Sequence, residues 1–269
     1  MPTIAEIVRK IEAMAPPALA ESWDPVGLQT GSMDTEIISV LLCLDITGSA
    51  IARAKANRAE LIVTHHPLIF SPVKAVRADI PEQQLLYDLI RHKIAVYSAH
   101  TNLDAAPGGV ADCLAQTLNL DADSWQTVFP QKNDLTGFAE AGHGRYADLY
   151  QPIKLSEIRQ IVVEKLGSPG CRINTDSNPM VSRVAVFPGS FSEEWIADLD
   201  LLDIDTVITG EAKHNVALAL ANRGIAVIDA GHDVTERVVL KPLAERLKSE
   251  FPQISFTVDM GLDYNKVAF

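Results

Sequence analysis

Short, uninterrupted runs of apolar and β-branched residues alternate along this chain with stretches whose apolar residues recur at helical spacing. A strand that is apolar at successive positions must be covered on both faces. It therefore belongs inside a mainly parallel sheet flanked by helices. In the first half the runs lie at 39–45, 60–64 and 93–97, with helical patterns at 48–57, 82–92 and 109–118. In the second half they lie at 184–187, 206–209 and 225–228, with helices at 192–200, 212–223 and 234–250. A further strand near 145–150, a helix at 155–166 and a last strand at 254–258 complete the pattern. The expectation is an α/β protein of two similar three-layer domains with mainly parallel mixed sheets, residues 1–126 and 127–269. The polar stretch 131–134 and the turn-like 142–145 fall at the join, and the tail strand is free to join either sheet. Ligand sites in such folds collect at the carboxyl ends of strands and between domains.

Composition narrows the function. Asp and Glu outnumber Lys and Arg by 35 to 23, for a formal net charge of −12. That argues against a nucleic-acid backbone as a direct partner and against a polybasic membrane anchor. A small anionic substrate remains compatible, because one local positive centre outweighs a distributed negative surface. No run approaches the roughly 20 apolar residues of a membrane span. The first ten residues carry charges and helical spacing, unlike a secretory leader. Cys43, Cys113 and Cys171 are scattered and include no Cys-x-x-Cys, which points to free thiols and a cytoplasmic location.

The histidines carry the chemistry. His65 and His66 directly follow the run 61–64 and precede Pro67, so the strand has ended where they stand. His100 and Asp104 follow the next run. The alternative reading there is that Asp104 or Asn102 shapes the turn before Pro107-Gly108-Gly109. His232 and Glu236 are one helical turn apart, against the alternative that Asp233 caps that helix with Glu236 completing a capping box. Together, His65, His66, Asp104, His232 and Glu236 are too many for one structural zinc. They suit two divalent ions, with Zn, Mn, Fe and Co not distinguished. Two such ions bring four positive charges, of which two carboxylates cancel two, and the remainder draws in an anion. Glu211 ends another run; it either orients a ligand or accepts a proton, or it is the acidic residue that any helix start favours. Asp45 reads as the cap of the next helix. His214 reads as a helix surface residue, and His92 and His143 have no assigned place.

With these residues in view, the chain resembles the GTP cyclohydrolase I type 2 family, also called the NIF-three-like dinuclear-metal family. The matching segments are Ser22-Trp-Asp-Pro-Val-Gly-Leu-Gln-Thr-Gly31, Thr64-His-His-Pro67 and His100-Thr-Asn-Leu-Asp104 with Pro107-Gly-Gly109. They continue with Gly142-His-Gly-Arg145, Ile208-Thr-Gly-Glu211 with Lys213-His214, and Asp229-Ala-Gly-His232 with Thr235-Glu236. The resemblance implies the NIF-three-like fold in its compact form, a toroidal homohexamer and a two-metal centre. It maps the ligands onto the same five residues and sets His100 beside the metals as a proton donor or acceptor. Pro25 departs from the family, which often has Asn there, so a polar side-chain role at that position is in doubt.

Three functional readings follow. The first is a metal-dependent hydrolase on a nucleotide-like anion, in its specific form ring opening of GTP, with His100 and Glu211 as the catalytic residues. The second is a metal-dependent phosphoesterase on another small anionic substrate. The third is a non-catalytic scaffold or adaptor that needs metal to assemble. No P-loop, Gly-x-Gly-x-x-Gly after a strand or Gly-x-Ser-x-Gly elbow chooses among them.

Overall fold

Each of the apolar runs becomes a strand with both faces covered. The structure, a computed structural model, describes residues 1–131, 137–168 and 170–261. The chain forms two units: Met1–Ala106 with the segment that begins at Leu240, and Pro107–Val239.

In the first unit α1 (Ile4–Met14) opens on a capping box, with the Thr3 N–H and hydroxyl both on the Glu6 carboxylate. Then follow β1 (Gly27–Thr30), β2 (Ser39–Cys43), α2 (Gly48–Ala56), β3 (Leu61–Thr64), α3 (Pro81–Arg91), β4 (Ala95–Ser98) and α4 (Thr101–Ala105). Strands β2, β3 and β4 are parallel, and β1 runs antiparallel along β4. Every residue of β2, β3 and β4 is buried. Leu41, Cys43, Ile62 and Val96 pack with Ala50, Ile51 and Ala54 of α2 and Leu89 of α3. Tyr97, one position on from Val96, turns to the opposite face. There its hydroxyl lies 3.3 Å from Glu12 of α1.

The second unit contains α5 (Val110–Leu118), β5 (Gln126–Pro130), β6 (Gly142–Lys154), α6 (Leu155–Leu166), β7 (Arg172–Ile173) and β8 (Met180–Ser190). It continues with α7 (Ile196–Leu201), β9 (Thr206–Glu211), α8 (His214–Asn222), β10 (Ala226–Asp229) and α9 (His232–Glu236). The sheet order is β5-β6-β8-β9-β10-β7. It is parallel through β8, β9 and β10 and antiparallel where β5, β6 and β7 join. Successive residues serve opposite cores. Val184, Val186, Ile208 and Ile228 pack with α5 and α6, whereas Ala185, Phe187, Val207 and Val227 pack with α7 and α8. This is the three-layer arrangement expected.

The chain then returns to the first unit. Helix α10 (Leu240–Glu250) packs against β2, and β11 (Ser255–Val258) pairs parallel with β2 to complete the order β1-β4-β3-β2-β11. The tail strand thus joins the first sheet. The division at 126/127 is displaced on both sides, because α5 packs with α6 and β8 of the second unit while α10 and β11 belong to the first. The helical pattern 234–250 is two helices separated by a tight turn at Arg237–Val239. The edge strands β1, β5 and β7 are partly exposed, so no continuous apolar run announces them. Of the polar stretch 131–134 at the expected join, only Gln131 lies among the described residues.

Candidate functional site

In the first unit the chain goes on pairing beyond β3. The His65 N–H donates to the Cys43 carbonyl at 3.1 Å and the His66 N–H to the Leu44 carbonyl at 2.9 Å. The ladder ends there, and the two imidazole centroids lie 5.0 Å apart instead of pointing to opposite faces. His65, 2 % exposed, has Nδ1 2.9 Å from the Ala99 carbonyl oxygen. A carbonyl only accepts, so Nδ1 carries the proton and Nε2 presents its lone pair. His66 has Nδ1 2.9 Å from Asp45 Oδ1. His100, at the mouth of α4, has Nδ1 3.1 Å from Asp24 Oδ1. The three imidazoles bring one ring nitrogen each to within 4.8 Å of one another. Asp104, on α4, places Oδ1 3.6 Å from His65 Nε2.

Two supporting carboxylates here escaped the sequence reading. Asp45 does not cap α2; the Thr47 hydroxyl does, accepting from the Ala50 N–H at 3.0 Å. Asp45 instead orients His66. Asp24 has a fully buried side chain and accepts from the Thr101 N–H at 2.9 Å and the Thr101 hydroxyl at 2.5 Å as well as from His100. Burial alone raises its pKa, but the hydrogen bonds from His100 and Thr101 together outweigh this and hold it below the ordinary Asp value. The only sequence signal for Asp24 was its place in the Ser22-Trp-Asp-Pro segment. In the Pro107 turn the Gly108 N–H goes to Asp112, and Asn102 binds the Ala15 carbonyl.

In the second unit His232 is the first residue of α9, after Gly231 at φ +105°, and Glu236 is a turn further on. Asp233 is therefore not the cap. His232 Nε2 and Glu236 Oε1 are 3.1 Å apart, and Glu236 is 3 % exposed. His232 Nδ1 lies 3.3 Å from Glu211 Oε2 at the end of β9. Glu211 thus faces an imidazole, while α8 begins only at His214 behind Lys213. Two glycines let α9 sit this close. A Cβ on Gly189 would collide with the Glu236 carboxylate, and one on Gly210 with the Thr235 hydroxyl. Gly189 also has φ +64°, and its N–H donates to Thr235 Oγ1 at 3.0 Å.

Protein ligands about 2.0–2.2 Å from one divalent ion lie roughly 3–4 Å from each other. The 3.1 Å and 3.6 Å separations above fit that spacing. The donor set, imidazole nitrogen with carboxylate oxygen, suits a borderline transition metal. The remaining histidines serve elsewhere: His92 binds the Asp88 carbonyl at the end of α3, His143 stacks on Trp195 at 5.5 Å, and His214 is exposed. Arg145, singled out in the 142–145 segment, is 2 % exposed. It is held by Asp112 at 2.6 Å and by the Gly142 and Gly144 carbonyls, which is a structural role. No helix among the described residues is long and apolar enough to cross a membrane.

Layered α/β units whose strand ends present imidazoles, each backed by an oxygen acceptor and accompanied by a carboxylate, define a class of proteins able to hold metal ions. Residues 2–263 match the profile of the family described as Duf34/NIF3 (NGG1p interacting factor 3), and the chain belongs to that family. A "GTP cyclohydrolase 1 type 2 homolog" of Clostridium perfringens is 32 % identical over 243 residues, 90 % of each chain. A "Protein NIF3 homolog" of Schizosaccharomyces pombe is 35 % identical over 92 % of this chain and 90 % of its own. The crystal structure of a Bacillus cereus protein related to NIF3 superposes with a TM-score of 0.90 over 100 % of this chain and 99 % of its own; at 22 % identity it shows the shared fold.

Proposed function

We propose that this protein is a metal-dependent hydrolase acting on a nucleotide-like anion, in its specific form a GTP cyclohydrolase that opens the guanine ring with water. His65, His66, Asp104, His232 and Glu236 are the ligands of two divalent ions. The observation that carries this reading is the repeated hydrogen bond behind the imidazoles. His65, His66, His100 and His232 each direct Nδ1 at an oxygen acceptor, which fixes the tautomer and leaves Nε2 to bind or to exchange a proton. When bound, divalent ions supply Lewis acidity and make water a nucleophile near neutral pH. The protein's own part is to place donors and move protons. Asp24 keeps Nδ1 of His100 protonated, so His100 Nε2 alternates between accepting and donating. Glu211 holds the His232 ring against Glu236. The relatives' names and the family resemblance support the choice of GTP; the resemblance supports a homohexamer, and the scattered cysteines support a cytoplasmic location.

Metal analysis followed by product identification tests this. Two ions per chain, loss of turnover on chelation and its return on metal addition, with formate and a pterin product from GTP, are expected. Light scattering should report six chains of 29.2 kDa. Zero or one tightly held ion sinks the dinuclear centre. A metal-loaded protein that leaves GTP and a panel of phosphoesters untouched sinks the hydrolase, and one that cleaves only the phosphoesters replaces the reaction.

A further inference from the structure

Beside the imidazole cluster of the first unit stand two aromatic side chains that burial does not explain. Trp23 is 57 % exposed and Phe70 55 % exposed. Their centroids are 5.8 Å apart with planes at 44°, and the Trp23 and His100 rings meet in a T-shaped arrangement, 6.1 Å apart with planes at 69°. An angled pair at this distance is a favourable aromatic contact that leaves an outer face on each ring to water.

Both rings sit on anchored backbone. The turn carrying Trp23 is closed by the Asp24 N–H on the Glu21 carbonyl at 2.9 Å, and the Glu21 N–H binds the Thr101 hydroxyl at 2.9 Å. Next in the chain, the buried Asp24 is tied to His100 and Thr101. The segment carrying Phe70 is tied to the same turn by one side chain. Gln29 accepts from the Ile69 N–H at 3.0 Å and donates to the Pro25 carbonyl at 3.2 Å and the Ile69 carbonyl at 3.4 Å. Gln29 uses the backbone carbonyl of Pro25, a group that every residue type offers.

We propose that Trp23 and Phe70 form a preorganised stacking platform for a planar heteroaromatic ring, the class to which nucleobases belong, carried by the molecule that reaches His100. This rests on the hydrolase reading and adds the recognition of the substrate's ring. A ring stacked on Trp23 lies next to His100, whose imidazole is 6.1 Å from the Trp23 ring. Because the platform is fixed before binding, little ordering entropy opposes the contact. Stacking on an aromatic side chain tolerates any base and is lost when the side chain is truncated.

The test is equilibrium dialysis of guanosine, GTP and ribose 5-phosphate with chelator-treated and metal-loaded protein, for wild type, Trp23→Ala, Trp23→Phe and Phe70→Ala. Guanosine should bind metal-free wild type. Trp23→Ala should weaken it by about 5- to 150-fold, while Trp23→Phe retains most of the affinity. Metal content and ribose 5-phosphate binding should stay unchanged. The platform is refuted if wild type does not bind guanosine, or if both alanine variants bind it as wild type does. It is also refuted if the variants change the oligomer mass, which assigns the rings to a contact between copies. Failure of the hydrolase reading shows separately, as absent turnover by metal-loaded wild type.

Discussion

Four imidazoles in two units share one hydrogen-bond arrangement, and its acceptors are three carboxylates and a carbonyl. A carboxylate behind an imidazole aligns the ring and strengthens the opposite nitrogen as a donor to metal. Asp45→Asn keeps the size and the acceptor oxygen but removes the charge behind His66. Metal affinity, measured by competition with a chromophoric chelator, should fall about 10- to 100-fold while the fold persists. An unchanged affinity removes Asp45 from the site. The imidazoles themselves were legible because each follows an apolar run, where side chains can leave the sheet. Their partners were not. Asp45 lies 21 residues from His66 and Asp24 lies 76 from His100, and an Asp after a strand equally suits a helix cap until Thr47 is seen to fill that role. Similarly, nothing local announced that Gly189 must lack a Cβ; the collision is with Glu236, far along the chain.

At the scale of elements, the buried strands follow from composition, since a run of apolar β-branched residues has no favourable solvent-facing conformation. The half-exposed edge strands β1, β5 and β7 do not. Strand β9 carries a further consequence at its entrance. Burial raises the pKa of Asp205, and the Ser182 and Arg183 N–H groups, which both bind Oδ2, offset this only in part. A carboxyl with a raised folded pKa binds its proton more tightly in the folded state. Its contribution is fully present below the unfolded pKa of about 4 and is lost as pH rises through the folded value. Asp205→Asn cannot ionise. The stability difference between wild type and Asp205→Asn should therefore favour wild type most at acidic pH and move against it upward from about pH 4. Urea unfolding of both proteins across that range measures it, and a difference that stays flat or grows in favour of wild type contradicts the assignment.

Over the whole molecule, the order of the chain is not the order of the units. Truncation after Val239 removes α10, with its buried Leu240, Leu243, Ala244 and Leu247, and removes β11 from the side of β2. Strand β2, buried along its length, then becomes a bare edge. The first unit should lose cooperative folding and aggregate, while the second unit, which keeps both faces of its own sheet covered, should survive limited proteolysis as a resistant fragment. A truncated protein whose first unit is equally protected refutes the dependence. The alternation of runs and helices was enough to state a layered α/β fold in two parts, because hydrophobic periodicity is local and each run dictates its own burial. The candidate histidines and the carboxylates Asp104, Glu211 and Glu236, which follow those runs, were legible for the same reason. Which sheet receives the tail, where the units divide and which carboxylates stand behind the imidazoles all depend on contacts between distant residues. Thr257 meets the Val40 carbonyl across 217 positions of sequence, and only packing in three dimensions selects such a pairing from the many that local pattern permits.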